Sequence, residues 1–225
     1  MTTVGKYKAA IFDCDGTLVD SESIWMTMIQ EVLLQHHLEP HPEFVEEFRG
    51  ITSTKAAQKI ALHTGKSTDE VKDALDVEYS ARLRSGSVPM ANASTFLHAL
   101  HGAVPIAVAS NGRREDVEAL LSTTGLIGFI DVIVTIEDVT QGKPAPDLFE
   151  LACKRLAVQP AHSVVFEDSL IGVGAAKAAK CNVIGMTTDP VVEAEAGNIA
   201  PGFDCLDVKI TGQEFYVQIK DRILK

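Results

Sequence analysis

The chain has 225 residues, which suits one domain or a core that carries a smaller insert, and its 46% hydrophobic and 23% charged residues exclude a disordered protein. A formal net charge of −11 argues against binding to nucleic acid or to an anionic membrane surface. No stretch approaches the roughly 18 uninterrupted apolar residues that a membrane-spanning helix needs.

Short apolar runs predict the strands of a sheet. The first run, residues 9–12, ends at Asp13. The later apolar runs cover residues 104–109, 132–134, 163–166 and 183–186. The helical patterns cover residues 113–124, 145–157, 170–180 and 212–224. The last of these is predicted as a helix because lysine and arginine near its end suit the helix dipole. The alternation predicts an α/β fold, a Rossmann-like core with a mostly parallel sheet that helices cover on both faces.

Residues 19–87 break this alternation, because they contain several helical patterns and no convincing strand. Ser67 and Glu70 fit a capping box at the beginning of one of these helices. We therefore predict an all-helical domain, residues 19–87, inserted into an α/β catalytic core of residues 1–18 and 88–225.

The loop after the first strand carries the most informative motif. Asp13 and Asp15 lie two residues apart at a strand end, so both side chains can reach one site. Two carboxylates held close repel each other unless a shared proton or a cation relieves them, and Mg²⁺ is a natural cation for oxygen ligands. Gly16 can adopt a positive φ, so that the amides beyond it face an anion. The alternative is an acidic loop that only caps the next helix.

The longer stretch DCDGTLVDS, residues 13–21, resembles the first signature of the haloacid dehalogenase superfamily, which includes many Mg²⁺-dependent phosphatases. The resemblance implies that Asp13 is the nucleophile that takes up the phosphoryl group and that Asp15 is the general acid and base. A carboxylate is already charged at pH 7, so Asp13 needs positioning more than activation. Asp15 would protonate the leaving oxygen and then deprotonate the water that hydrolyses the aspartyl phosphate.

Two further motifs match the superfamily pattern in order along the chain. Ser110 and Asn111 follow a predicted strand and offer a hydroxyl group and backbone amides to a phosphate, although both are also common helix N-caps. Lys143 lies on a loop that two prolines stiffen. Its ammonium group could offset charge on the phosphoryl oxygens and on Asp13, whereas the alternative is a solvated lysine before a helix.

Glu167 and Asp168 form the fourth motif, after the run that ends at residue 166. Acids at a strand end suit a metal, although Asp168 could instead cap the next helix. Because ligands bind at the carboxyl ends of parallel strands, we expect the four motifs to meet in one site. The predicted Mg²⁺ is held by Asp13, Asp168 and the main-chain carbonyl of Asp15, with Glu167 beside these ligands.

The helical insert resembles the cap domain of the β-phosphoglucomutase-like branch of the superfamily. The resemblance implies that the cap closes over the core and that Arg49 lies in a cap loop that contacts the substrate, where it could bind a hydroxyl or a second anionic group. A surface arginine that closes a helix is the alternative. Asp15 disfavours haloacid dehalogenase and phosphonatase activity, because those enzymes replace the second acid. Trp25 stands where the mutase has a cap histidine, which favours a phosphatase.

The sequence therefore predicts a Mg²⁺-dependent phosphatase for a small phosphorylated metabolite, such as a sugar phosphate. A phosphosugar mutase and a non-catalytic phosphometabolite-binding module remain as alternatives. The four cysteines are scattered without a C-x-x-C pair, which is typical of reduced thiols in a cytoplasmic protein. We expect a monomer.

Overall fold

The computed structural model describes residues 2–49 and 51–220 and contains two compact units. One unit lies within Met1–Val19 and Pro89–Lys225, and the other is Asp20–Val88. None of the helices in the described part of the chain combines the length and the apolar character that a membrane span requires.

The first unit contains a five-stranded parallel sheet, which confirms the predicted α/β fold. The first strand of the chain, β1 (Thr2–Tyr7), belongs to another sheet. The strands of the parallel sheet are β2 (Ala9–Phe12), β3 (Ile106–Ser110), β4 (Val132–Thr135), β5 (Ser163–Glu167) and β6 (Asn182–Gly185). Their order is β4-β3-β2-β5-β6, so β2 lies in the centre. The apolar runs predicted these strands well because a parallel sheet is buried on both faces.

Helices and aromatic side chains cover the two faces of the sheet. The helices of this unit are α5 (Ala93–Leu100), α6 (Arg114–Thr123), α7 (Asp147–Arg155), α8 (Leu170–Ala178) and α9 (Pro190–Ala196). Ile11 belongs to the apolar cluster that includes buried residues of α7 and α8. The next residue, Phe12, points to the opposite face and stacks on Phe166 with ring centroids 4.7 Å apart. The packing on both faces fixes β2 at the centre of the sheet.

The structure has a strand of a separate antiparallel sheet where the sequence predicted the C-terminal helix. It has the order β1-β8-β7, where β7 is Leu206–Thr211 and β8 is Glu214–Ile219. The helix predicted over 212–224 is wrong where the structure describes it, and residues 221–224 lie outside the described residues. Gly212, at φ +64°, turns the hairpin, and alternate residues of β8 are buried, which is a period of two rather than a helical period.

The second unit consists of helices in the part of the chain described. They are α1 (Ser21–Gln35), α2 (Pro42–Glu46), α3 (Ser53–Thr64) and α4 (Thr68–Gly86). Their buried core includes Trp25, Met28 and Phe48. Helix α4 begins after Ser67 as predicted, but the Ser67 side chain makes no capping hydrogen bond, so the predicted capping box is wrong. The helix is held instead by the packing of its apolar face.

Candidate active site

Three of the four motifs lie where neighbouring strands end. Asp13 follows β2, Ser110 is the last residue of β3, and Glu167 is the last residue of β5. Strand β2 lies between β3 and β5, and all three run parallel. Their carboxyl ends therefore meet at one edge, and the backbone N–H of Asp13 donates to the carbonyl of Phe166 at 3.0 Å.

The carboxyl groups of Asp13, Glu167 and Asp168 form an acidic cluster. One oxygen of each lies within 4.8 Å of the others. Burial, together with the charge of Asp13, raises the pKa of Glu167 to about 7. Burial and the charges of Asp13 and Glu167 raise the pKa of Asp168 to about 8. Negative charge is therefore concentrated around Glu167 and Asp168, and an all-oxygen donor set fits a hard divalent cation.

Lys143 provides a cation inside this cluster. Its Nζ atom donates to Asp13 Oδ1 and to Glu167 Oε1, the latter at 3.4 Å. It also lies 5.0 Å from the ring centroid of Phe149, on α7. Burial favours the neutral amine, but the charges of Asp13 and Glu167 outweigh it and hold the pKa of Lys143 above its usual value. Lys143 therefore remains protonated and faces the predicted nucleophile.

Gly16 gives the loop after β2 its shape. Its φ is +76°, and a Cβ atom there would overlap the carboxylate of Asp168. Thr17 Oγ1 donates to Asp168 Oδ1 at 3.4 Å. The N–H of Gly16 donates to the carbonyl of Val19 at 2.9 Å, so this amide is already used within the loop. In this structure Gly16 contributes the turn that admits Asp168.

Asp15 lies beside the hydroxyl group of Ser110. Ser110 Oγ donates to Asp15 Oδ2 at 3.4 Å and accepts from the backbone N–H of Gly112 at 2.9 Å. Ser110 is buried, whereas Asp15 is partly exposed. The two acids of the first motif therefore have different surroundings, because Asp13 faces Lys143 and Asp15 faces Ser110. Such a difference suits two carboxylates with different tasks.

The side chain of Asn111 contacts the loop that carries Lys143. Asn111 Oδ1 accepts from the backbone N–H of Lys143 at 2.8 Å, and Asn111 Nδ2 donates to the Lys143 carbonyl at 3.2 Å. Sequence analysis missed this pairing and also the ring of Phe149 next to Lys143. No local sequence pattern predicts either contact, because each contact joins segments that are distant along the chain or depends on the folded loop.

Arg49 and Trp25 belong to the helical unit. Arg49 follows α2, and its exposed side chain donates to Glu46 Oε1 at 2.5 Å and to Glu22 Oε1 at 3.2 Å. The predicted contact between Arg49 and a substrate stays a prediction. Trp25 is buried, and its Nε1 donates to the carbonyl of Phe48 at 2.8 Å. Trp25 is therefore a core residue of this unit.

Carboxylates and one lysine gathered at the carboxyl edge of a parallel α/β sheet are typical of a hydrolase. Comparison with protein families matches residues 10–186, well over half of the chain, to the haloacid dehalogenase-like hydrolases. The chain belongs to this family. It is an enzyme, a phosphoric monoester hydrolase.

Individual relatives match most of the chain. Validoxylamine A 7'-phosphate phosphatase from Streptomyces hygroscopicus subsp. limoneus is 35% identical over 84% of this chain and 90% of that protein. A fructose-1-phosphate phosphatase from Escherichia coli is 33% identical over 80% of this chain and 96% of that protein. A solved structure of a HAD family hydrolase from Deinococcus radiodurans, with bound phosphate and sodium, is 27% identical with a TM-score of 0.72 and covers 86% of this chain and 90% of that chain.

Proposed function

We propose that the protein is a Mg²⁺-dependent phosphatase that hydrolyses a small phosphorylated metabolite, with sugar phosphates as its substrate class, through an aspartyl phosphate on Asp13. The observation that carries this proposal is the site that Asp13, Lys143, Glu167 and Asp168 share, where Asp168 is half-buried and the others are buried. The two named phosphatase relatives act on validoxylamine A 7'-phosphate and fructose 1-phosphate, which supports a small phosphate ester as substrate.

The acidic cluster is the proposed metal site. Asp13, Asp168 and the main-chain carbonyl of Asp15 would hold Mg²⁺, with Glu167 beside them. When bound, the ion supplies positive charge that lets an anionic nucleophile and an anionic phosphate approach each other. The raised pKa values of Glu167 and Asp168 support this assignment, because they report negative charge that the protein does not compensate by itself.

The two acids of the first motif would divide the chemistry. A carboxylate oxygen of Asp13 forms a bond to phosphorus while the bond from phosphorus to the ester oxygen breaks, and Asp15 gives its proton to that leaving oxygen. Water then attacks the phosphorus of the aspartyl phosphate while Asp15 takes a proton from this water. The bond from phosphorus to the Asp13 oxygen breaks, inorganic phosphate leaves, and the Asp13 carboxylate is restored. Lys143 and the hydroxyl group of Ser110 stabilise the charge on the phosphoryl oxygens during both steps.

We propose that residues 19–87 act as a cap that excludes water and selects the substrate, with Arg49 as a substrate-binding residue. The chain leaves the core unit at Val19 and re-enters it at Pro89, and these two residues pair with each other. An insert with adjacent ends can move on a short connection. The guanidinium of Arg49 is about half exposed and could exchange its carboxylate partners for an anionic substrate.

The mutase alternative is disfavoured within the helical unit itself. Trp25, which replaces the cap histidine of the mutase, is buried, and its only polar group donates to Phe48. An indole in that position offers no acid or base. The non-catalytic alternative is disfavoured because a binding module does not need the acids and the lysine of the four motifs. Those residues are all present, namely Asp13, Asp15, Lys143 and Asp168.

We also propose that the protein is a cytoplasmic monomer that binds neither nucleic acid nor membranes. The described residues contain no disulfide, although Cys153 Sγ and Cys181 Sγ lie 3.7 Å apart. Cysteines that do not form disulfides are typical of a reducing compartment. The net charge of −11 opposes polyanionic partners.

Hydrolysis of p-nitrophenyl phosphate by Asp13→Asn tests the nucleophile. We expect kcat to fall at least about 1,000-fold, because an amide cannot form the covalent intermediate. Asp73→Asn, an exposed replacement of the same type in the helical unit, is the matched control and should keep wild-type activity. Circular dichroism should show that both variants are folded. Residual Asp13→Asn activity above about a tenth of wild type, well outside the losses seen on removing an active-site nucleophile, would contradict the proposal.

Metal removal and a substrate panel test the rest. EDTA should abolish turnover and Mg²⁺ should restore it. Full activity in EDTA would contradict the metal assignment but not the phosphatase activity. Phosphorylated sugars should be compared by kcat/KM. Arg49→Ala should raise KM for the preferred sugar phosphate and leave p-nitrophenyl phosphate hydrolysis unchanged. Arg84→Ala, on the exposed surface of α4, is its control.

A further inference from the structure

We infer that the side chain of Asn111 is a positioning residue that acts through Lys143, rather than a ligand of the substrate. The inference rests on the proposed function and deepens it. Asn111 follows the last residue of β3, directly after Ser110, and lies at the exposed rim of the site. A side chain at this place could equally face a bound phosphate. Its hydrogen bonds instead lead to the backbone of Lys143.

The two hydrogen bonds hold one residue at both of its backbone polar groups. The N–H of Lys143 donates to Asn111 Oδ1 at 2.8 Å, and the Lys143 carbonyl accepts from Asn111 Nδ2 at 3.2 Å. A single hydrogen bond would leave the Lys143 backbone free to rotate about it. A donor and an acceptor used together fix both its distance and its orientation. This pairing joins the end of β3 to the loop before α7.

Gly142 shows that the loop is shaped around this contact. A Cβ atom at Gly142 would overlap Asn111 Oδ1 and would lie 2.6 Å from Cδ1 of Ile136. Any larger residue there would therefore displace the amide of Asn111. The φ angle of Gly142 is not positive, so the backbone conformation does not require a glycine there. The missing side chain instead leaves room for Asn111 to approach.

The charged end of Lys143 depends on where its backbone is held. Its Nζ atom must meet Asp13 and Glu167 while it lies 5.0 Å from the ring of Phe149. The stem between backbone and ammonium is long and flexible, so those contacts alone hold only its far end. A displacement of about 1 Å at a catalytic group can reduce the rate by about 100-fold. Asn111 is exposed, and water can replace part of its hydrogen bonding. We therefore expect removal of the Asn111 side chain to reduce the rate by less than this.

A double-mutant cycle on kcat/KM tests whether Asn111 acts through Lys143. Asn111→Ala should lower kcat/KM about 10-fold in the wild-type background and less than about 3-fold in the Lys143→Ala background, because contacting residues are not additive. A full 10-fold loss in both backgrounds would mean that Asn111 contacts the substrate independently, and would overturn the inference. Gly142→Ala should reproduce the loss and should not add to Asn111→Ala.

Asn182→Ala is the matched control for stability. Asn182 is also exposed, and its Nδ2 donates to two backbone carbonyls, of Ala161 and Ser163, at 3.0 and 3.1 Å. Its removal should lower the melting temperature and leave kcat/KM unchanged. If Asn182→Ala lowered kcat/KM as much as Asn111→Ala, the effect would be general loosening of the fold and the inference would fail.

A chemical readout separates this inference from the proposed function. The buried, ion-paired Lys143 should react slowly with trinitrobenzenesulfonate, followed residue by residue by mass spectrometry. Asn111→Ala should raise its labelling rate at least about 3-fold, while labelling of the exposed Lys180 stays constant. Inactive wild-type protein would refute the proposed phosphatase, and the labelling rate would still decide the role of Asn111. Unchanged labelling would overturn it.

Discussion

Asp138 closes a network that supports the loop before Lys143, and its replacement by asparagine should make the protein less stable. Its carboxylate accepts from the backbone N–H of Thr135 at 2.9 Å, from Arg114 at 2.5 Å and from Arg155 at 2.8 Å. These partners lie at the end of β4, on α6 and on α7. Asp138→Asn keeps the shape and removes the charge.

The magnitude follows from the pKa of Asp138. Partial burial acts to raise this pKa, but the hydrogen bonds from Arg155 and Thr135 and the charges of both arginines lower it from 3.8 to about 2. At about 1.4 kcal/mol per pKa unit, the difference corresponds to about 2 kcal/mol. The arginines are 36% and 37% exposed, and solvent screening reduces this to about 1 kcal/mol.

The sign of the pH dependence follows as well. Because the folded-state pKa is lowered, the ionised carboxylate stabilises the protein above about pH 4, and this stabilisation disappears as the pH falls toward 2. The free energies of unfolding of wild type and Asp138→Asn, from urea titrations at pH 7, 5, 4 and 3, should differ by about 1 kcal/mol at the first two values. The difference should fall to about half of that at pH 3, which still lies above the folded-state pKa. Asp73→Asn is the control. A gap that stays constant down to pH 3, or no gap at pH 7, would refute this account.

Three further predictions address other features of the molecule. Gly16→Ala should destabilise the protein by at least about 1–2 kcal/mol through its positive φ and should abolish turnover, because its Cβ displaces Asp168; normal kcat would contradict this. Trp25→Phe should lower the free energy of unfolding by about 1–3 kcal/mol, because the buried carbonyl of Phe48 loses its donor. Mg²⁺ should raise the melting temperature of wild type and not of Asp168→Asn, and an equal rise in both would exclude Asp168 as a ligand.

The parallel sheet and the meeting of the motifs were predictable because both arise from local patterns. An apolar run such as residues 9–12 marks a buried strand wherever its partners lie in the sequence, and a polar residue directly after it marks the strand end. Parallel packing then brings those ends together. The family resemblance added the tasks of Asp13 and Asp15, which no spacing rule assigns.

The remaining features depend on contacts between distant segments. Strand β1 pairs with β8, so that Thr2 lies opposite Ile219. Strand β1 has no continuous apolar run, and the short apolar run of β8, residues 215–217, fits a helix as well as a strand. Asn111 is equally suited to a helix N-terminus, a phosphate or a backbone, and its actual partner lies 32 residues away. The sequence alone does not choose among such partners, because its local preferences are the same for each.

The central position of β2 has a consequence for synthesis. The ribosome releases Ala9–Phe12 long before it releases either neighbouring strand, Ile106–Ser110 or Ser163–Glu167. Until both emerge, the nascent chain carries an apolar segment whose peptide groups have no lasting partners, and such segments are prone to aggregate or to recruit chaperones. The time needed to translate the last third of the protein therefore determines how long this early strand stays exposed to aggregation.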